Sequence, residues 1–278
     1  MRYTVMNPPP VLAPHVECLW RLEGDGRGLR PETIVPDGCM EVVLHCGDRF
    51  EKVHPEHGAK VQSRAFLVGQ LLAPVVVRPG ARVETWGIRF RPGGAMAFFE
   101  VPMPELTGRF VDLADVAGAG GTAGLESFYE ARTSADRARC LESWLAARLG
   151  RRAGDPVSAL AARAIVRARG RVRLDELASG LGLGARQLER RFLRGVGIPP
   201  RALARQVRFQ QVFRLVHERP ATAGAWADVA CDAGYYDQAH LLRDFRELAG
   251  TTPPRFLAAQ GDFSRALTSR ARLDDLFG

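Results

Sequence analysis

The chain has 278 residues, 46% hydrophobic and 25% charged, a composition that excludes wholesale disorder and fits two domains of ordinary size. Its formal net charge is +8, but residues 1–159 carry 19 basic and 19 acidic side chains, whereas residues 160–278 carry 20 basic and 12 acidic. The excess is almost all arginine, since Lys52 and Lys60 are the only lysines, so a neutral module is joined to one suited to a polyanion.

From His15 to about Phe90 the pattern is strand-like. Val16, Cys18, Trp20 and Leu22 alternate with Glu17, Leu19, Arg21 and Glu23, mostly in the period of two of a half-buried strand. The runs at 40–45, 64–69 and 74–78 are β-branched or apolar and bounded by Gly, Pro and Asp, and at 82–90 Trp86, Ile88 and Phe90 alternate with Gly87 and Arg89. Short strands spaced by turns predict a small β-barrel or sandwich. Met96, Phe98 and Phe99 then read as a short helix, and the glycine-rich stretch 116–125 as a loop.

Ser134 is the expected N-cap of the next helix, with Asp136 in its first turn. Ala138, Leu141, Trp144 or Leu145, and Leu149 recur at helical spacing up to Gly150, a stripe that packs on its own barrel or pairs with a second copy in a homodimer. The segment 150–156 has linker composition. The expected division is a β-rich domain over 1–115, a helical linker and candidate dimerisation segment over 116–156, a helical domain over 157–260 and a tail over 261–278.

The basic half contains a duplication. Leu177 and Ala178 match Val229 and Ala230, and Gly182 matches Gly234, at an offset of 52. Leu188, Arg190, Phe192, Gly197, Pro200 and Leu203 match Leu241, Arg243, Phe245, Gly250, Pro253 and Phe256 at an offset of 53, which makes Tyr236 a one-residue insertion. Each copy reads helix, tight glycine turn, helix, the helix-turn-helix pattern. With Gly184 and Asp237 as N-caps, Leu188 and Phe192, like Leu241 and Phe245, lie four apart on one face and belong to the core. The opposite faces carry Arg186, Glu189 and Arg190 in one copy, and Gln238, Ala239, Leu242 and Arg243 in the other. Side chains at this end of the second helix reach base edges in a major groove, where Arg suits guanine and Gln suits adenine. Glu189 either accepts from cytosine or orients Arg186 or Arg190. Arg201, Arg205, Arg208 and Arg255 are expected phosphate donors, Trp226 reads as core, and Pro199-Pro200 and Pro253-Pro254 as helix terminators.

These residues resemble the DNA-binding domain of the arabinose-regulator (AraC/XylS) family of bacterial transcription factors. The resemblance is carried by Arg208, by 226–235, by 237–246 and by 250–256, and it covers about 160–260; Tyr235 stands where phenylalanine is commoner and Leu242 where a small polar residue is usual. It implies two helix-turn-helix units joined by a long helix near 201–218, double-stranded operator DNA and RNA polymerase as partners, and the seven base-facing residues named above. The segments 34–45 and 87–99 resemble a β-rich, cupin-like amino-terminal domain found fused to such domains. The fold class is therefore α+β with two domains, a cupin-like β-barrel or sandwich and an all-α domain of two helix-turn-helix units.

A cupin metal site needs an HxH pair. His45 is followed by Cys46 and Gly47, and His54 and His57 fall in a sequence that reads as an exposed turn, so no metal and no cofactor are expected. Trp20, Trp86, Arg89 and Phe90 are the candidates to line a pocket for a small-molecule effector, and Asp37 reads as a turn residue. No nucleophile set, P-loop or dinucleotide fingerprint occurs, so no enzyme activity is expected. The competing reading is a DNA-repair alkyl transferase using the same carboxyl-terminal domain, for which Cys18, Cys39 and Cys46 are too few and wrongly spaced. Cys18, Cys39, Cys46, Cys140 and Cys231 show no paired spacing, the opening 1–14 has no signal-peptide core, and no apolar run approaches the roughly 20 residues of a membrane span. A cytoplasmic protein without membrane association is expected.

Overall fold

A computed structural model describes residues 1–118, 120–150, 155–219 and 226–269. The chain runs β1 (Arg2–Met6), β2 (Val16–Asp25), β3 (Glu32–Ile34), β4 (Glu41–His45), β5 (Glu51–His54), β6 (Gly58–Val61), β7 (Ala65–Val68), β8 (Val75–Arg78) and β9 (Arg82–Phe90). A 3-10 turn (Ala95–Ala97), α1 (Met103–Leu106), β10 (Phe110–Asp112), α2 (Leu113–Val116), α3 (Leu125–Glu130) and α4 (Ser134–Arg148) complete the first half. The second half is helical: α5 (Pro156–Arg167), α6 (Leu174–Gly180), α7 (Ala185–Val196), α8 (Pro200–Glu218), α9 (Trp226–Ala233), α10 (Gln238–Ala249), α11 (Pro253–Ala259) and α12 (Asp262–Leu267).

A six-stranded sheet in the order β1-β2-β9-β4-β7-β10 faces a four-stranded sheet in the order β3-β8-β5-β6. The central strand β9 is buried on both faces from Thr85 to Phe90, although Thr85 and Arg89 are polar. Alternation sends Trp86, Ile88 and Phe90 toward the layer formed by the 3-10 turn and α1–α4, and Thr85, Gly87 and Arg89 toward the space between the sheets. Leu141, Trp144 and Leu145 of α4 are buried in that outer layer. The apolar stripe on this helix thus packs on its own chain, the first of the two alternatives its sequence offered. The N-cap of α4 is Thr133, not Ser134: its hydroxyl accepts from the Asp136 amide at 3.1 Å. The helix ends at Arg148, two residues short of the glycine expected to close it.

The carboxyl-terminal helices share one core, in which Phe209 and Phe213 of α8 pack edge-on against Phe245 of α10. This core continues into the first half through Val35 and Cys39. Gln206 and Gln210 of α8 donate to the carbonyls of Leu71 (2.7 Å) and Pro36 (2.9 Å), and Thr107 donates to the carbonyl of Gly197 (2.7 Å). Of the 150–156 linker, residues 151–154 lie outside the described residues, as do residues 270–278 of the tail. The described part of that tail is a helix, α12, and it docks on the first half.

The two copies of the duplication fold alike. Gly182 and Gly234 take positive φ in the turns, and Gly197 and Gly250 close α7 and α10 in the left-handed region, at φ of 94° and 71°. A side chain is disfavoured in that conformation, so glycine there ends the helix cleanly. Pro200 and Pro253 then occupy the first turn of the following helix. The prolines therefore open α8 and α11, where a missing N–H costs nothing, and do not terminate α7 and α10.

Candidate nucleic-acid interface and internal cavity

The second helix of each motif is oriented by what it buries. Leu188 and Phe192 of α7, and Leu241 and Phe245 of α10, are inaccessible to solvent, each worth about 1.5–3 kcal/mol of burial. The opposite faces must then point outward. Arg186, Glu189 and Arg190, and Gln238, Ala239 and Arg243, are exposed, and Leu242 is half-buried. Asp237 caps α10 by accepting from the His240 amide at 2.7 Å, whereas Gly184 opens α7 with no side-chain cap.

In place of a cap, α7 is held by Arg191. Its guanidinium donates through Nε (3.0 Å) and Nη2 (2.6 Å) to the Asp155 carboxylate, which also caps α5 through the Val157 amide. The Arg191 hydrogen bonds hold the Asp155 carboxyl below its ordinary value, ahead of the opposing effect of burial. Among the described residues no ion pair joins Glu189 to Arg186 or Arg190, so the orienting contact considered for Glu189 is not formed.

The expected phosphate donors divide. Arg201 and Arg255 are exposed in the first turns of α8 and α11. Arg205 instead donates to Asp244 (2.9 Å) and to Glu247, tying α8 to α10. Arg208 donates to the carbonyl of Gly170 (2.9 Å) and lies over the Tyr235 ring. Both are committed to internal contacts, a correction to the phosphate role expected from their position. Tyr235 and Trp226 are buried core residues, and Tyr236, the inserted residue, is 93% exposed.

A second site lies between the two sheets. It is a cavity of about 660 Å³ when the space at its open mouth is counted. Its floor comes from β4 and β9, where Glu41 pairs with Arg89, Val43 with Gly87 and His45 with Thr85. Its walls are apolar, and α12 contributes Phe263 and Leu267 to them. Trp20 and Arg89 line this space as the sequence led us to expect. Trp86 and Phe90 do not: they lie on the opposite face of the sheet, in the helix-covered core.

The polar ends of the cavity differ. Arg89 is 1% exposed, and its two Nη atoms contact Asp37 (2.5 Å) and Glu41. Burial pulls the guanidinium pKa down, but Glu41 and then Asp37 outweigh it and hold it well above its ordinary value. Asp37 also makes the turn expected of it, accepting from the Cys39 amide at 2.9 Å. At the other end His45 contacts Thr85 and Gln62, each at 3.0 Å, and burial lowers its pKa to about 4, keeping it neutral. Burial pushes the Cys46 thiol up to about 11, away from the reactive thiolate that a repair chemistry requires.

Residues 177–259 match the family model described as a helix-turn-helix domain. These residues form a helix-turn-helix domain. Residues 4–112 match a second model, described as a domain of unknown function, DUF6597. No curated protein matches the sequence. Among solved structures the chain is similar to ToxT from Vibrio cholerae. An apo ToxT variant shares 9% identity at a TM-score of 0.46, over 87% of this chain and 98% of that one. ToxT bound to (E)-4-(8-methylnaphthalen-1-yl)but-3-enoic acid gives 9% and 0.46, over 93% and 99%. Wild-type ToxT bound to an unsaturated fatty acid gives 10% and 0.42, over 94% and 100%.

The helix-turn-helix units were readable down to the caps of α7 and α10. The residues missed by sequence reasoning belong to the cavity: Glu41, Gln62, Phe263 and Leu267 carried no motif. The one available signal was parity, since Glu41 and His45 stand four apart in a strand and so share a face.

Proposed function

We propose that the protein is a sequence-specific DNA-binding transcription regulator whose amino-terminal domain receives a small-molecule effector. One observation carries the reading: the duplicated helices α7 and α10 bury equivalent faces and leave Arg186 and Ala239, and Arg190 and Arg243, exposed at equivalent positions, with Glu189 and Gln238 exposed beside them. This is the geometry that groove reading requires. The net positive charge of this half supports it, because phosphate contacts supply much of the affinity for a duplex. Arg201 and Arg255 are the exposed phosphate donors in this reading. The effector part is supported by the cavity, whose walls come from both halves of the chain. In such a regulator, effector binding changes how the helix-turn-helix units meet the operator, and thereby how RNA polymerase is served. Titrating labelled duplex DNA with the full chain and with an Arg190→Ala, Arg243→Ala double variant tests the reading: only the unaltered chain should bind with sequence preference.

A further inference from the structure

The cavity carries enough chemistry to name the class of molecule it takes. The indole of Trp20 lies flat against Gly87, where a Cβ would sit 2.3 Å from its Nε1. Only glycine admits the ring there, and Trp20 is among the residues that line the cavity. Its Nε1 is buried without a hydrogen-bond partner, and so is Nε of Arg89, the donor at the acidic end. Two buried N–H groups, both on residues that line one space, each forgo an interaction that burial makes expensive to leave unmade. A ligand oxygen would satisfy them.

The charge on the oxygen follows from the surroundings of Arg89. Its Nη atoms are engaged by Asp37 and Glu41, and Glu17, also buried, accepts from the neighbouring Cys39 thiol at 3.6 Å. One guanidinium thus faces three carboxylates, and this end of the cavity is formally negative. An anion placed there would be repelled, because like charges in a poorly hydrated site cost several kcal/mol. A cation would suit the charge and leave both N–H groups unmet. At the other end His45 is neutral and already bonded to Thr85 and Gln62. We propose that the cavity binds a neutral, largely apolar small molecule that presents a carbonyl or hydroxyl oxygen to Trp20 and Arg89. The proposal rests on the effector part of the reading above and is independent of its DNA part.

The test uses the full chain and three probes of equal length, 2-octanone, octanoate and octylamine, titrated calorimetrically at neutral pH. The ketone should bind saturably and at least about tenfold tighter than either charged probe. Trp20→Phe keeps a ring and deletes the N–H, and should weaken the ketone by roughly three- to tenfold. Glu41→Gln lowers the negative charge and should narrow the gap between octanoate and the ketone. Thermal melts of both variants establish that they are folded, and either variant alone suffices for the comparison. Octanoate or octylamine binding as tightly as the ketone, or no saturable binding by any probe, overturns the proposal. Duplex binding measured on the same samples separates this failure from failure of the regulator reading.

Discussion

Glu32 and Ser264 stand 232 residues apart in sequence, yet the buried carboxylate of Glu32 accepts the Ser264 amide at 2.7 Å. The Phe263 amide also points to it, at 3.4 Å. The contact fixes α12 over the cavity, with Phe263 and Leu267 forming part of its wall. Replacing Glu32 by Ala removes a charged acceptor from two buried donors and should cost about 1.5–3 kcal/mol of stability. Hydrogen exchange at 262–268 should accelerate while α7 and α10 keep their protection. Unchanged exchange in α12 would show that the helix is held by its apolar residues alone.

Arg190 and Arg243 occupy matched exposed positions and, among the described residues, form no ion pair. Each change to Ala should weaken specific duplex binding by about 1–3 kcal/mol, with the melting temperature unchanged. Arg205→Ala should behave in the opposite way, lowering stability through its lost bonds to Asp244 and Glu247. Binding isotherms and thermal melts on the three variants distinguish the roles. Equal loss of affinity without loss of stability in Arg205→Ala would return that residue to the phosphate-contacting set.

Affinity should fall steeply with salt, because each phosphate neutralised releases counterions at a log–log slope of about −0.9 per contact. Arg201→Ala and Arg255→Ala should each reduce the slope by about one and leave sequence preference intact. A slope that does not respond to these two changes would mean that other residues meet the backbone.

His45 gives the first domain a pH dependence. Its pKa is lowered to about 4 in the folded protein by burial, against about 6.5 in an unfolded chain. The folded state therefore binds fewer protons, so the stability due to neutral His45 is complete above about pH 6.5 and is lost as pH falls toward 4. The single-group loss is roughly 3 kcal/mol. Thermal melts between pH 7 and 4.5 should show a weaker decline in a His45→Gln variant than in the unaltered chain. Parallel declines would place the acid sensitivity elsewhere.

The helical half was legible because its signals are local. A glycine at 182 and 234, an aspartate at 237, and apolar residues four apart each act within a turn or two of helix, and all were found where the spacing put them. Arg205 escaped because its partners Asp244 and Glu247 lie some 40 residues away, on another helix. The β-rich half was legible as strands but not as faces. The alternation along β9 already set Arg89 opposite Trp86 and Phe90, but a strand buried on both sides does not announce which face meets a cavity, so the three were grouped although they point apart. A bulge between Val16 and Cys18 further shifts the register of Trp20. The strands β1, β3, β5, β6 and β10 were missed, and each exists through its pairing with another strand. The docking of α12 depends on a carboxylate at the other end of the chain, which no local pattern announces.

The central claim is that α7 and α10 each read one stretch of duplex. Selection of bound sequences from a random double-stranded pool tests it most directly. The full chain should enrich two short blocks whose centres lie about one helical turn, roughly 10 base pairs, apart. Arg190→Ala should lose the information in one block and Arg243→Ala that in the other. A pool that stays random with the unaltered chain, or a single block erased by both changes, would contradict the account.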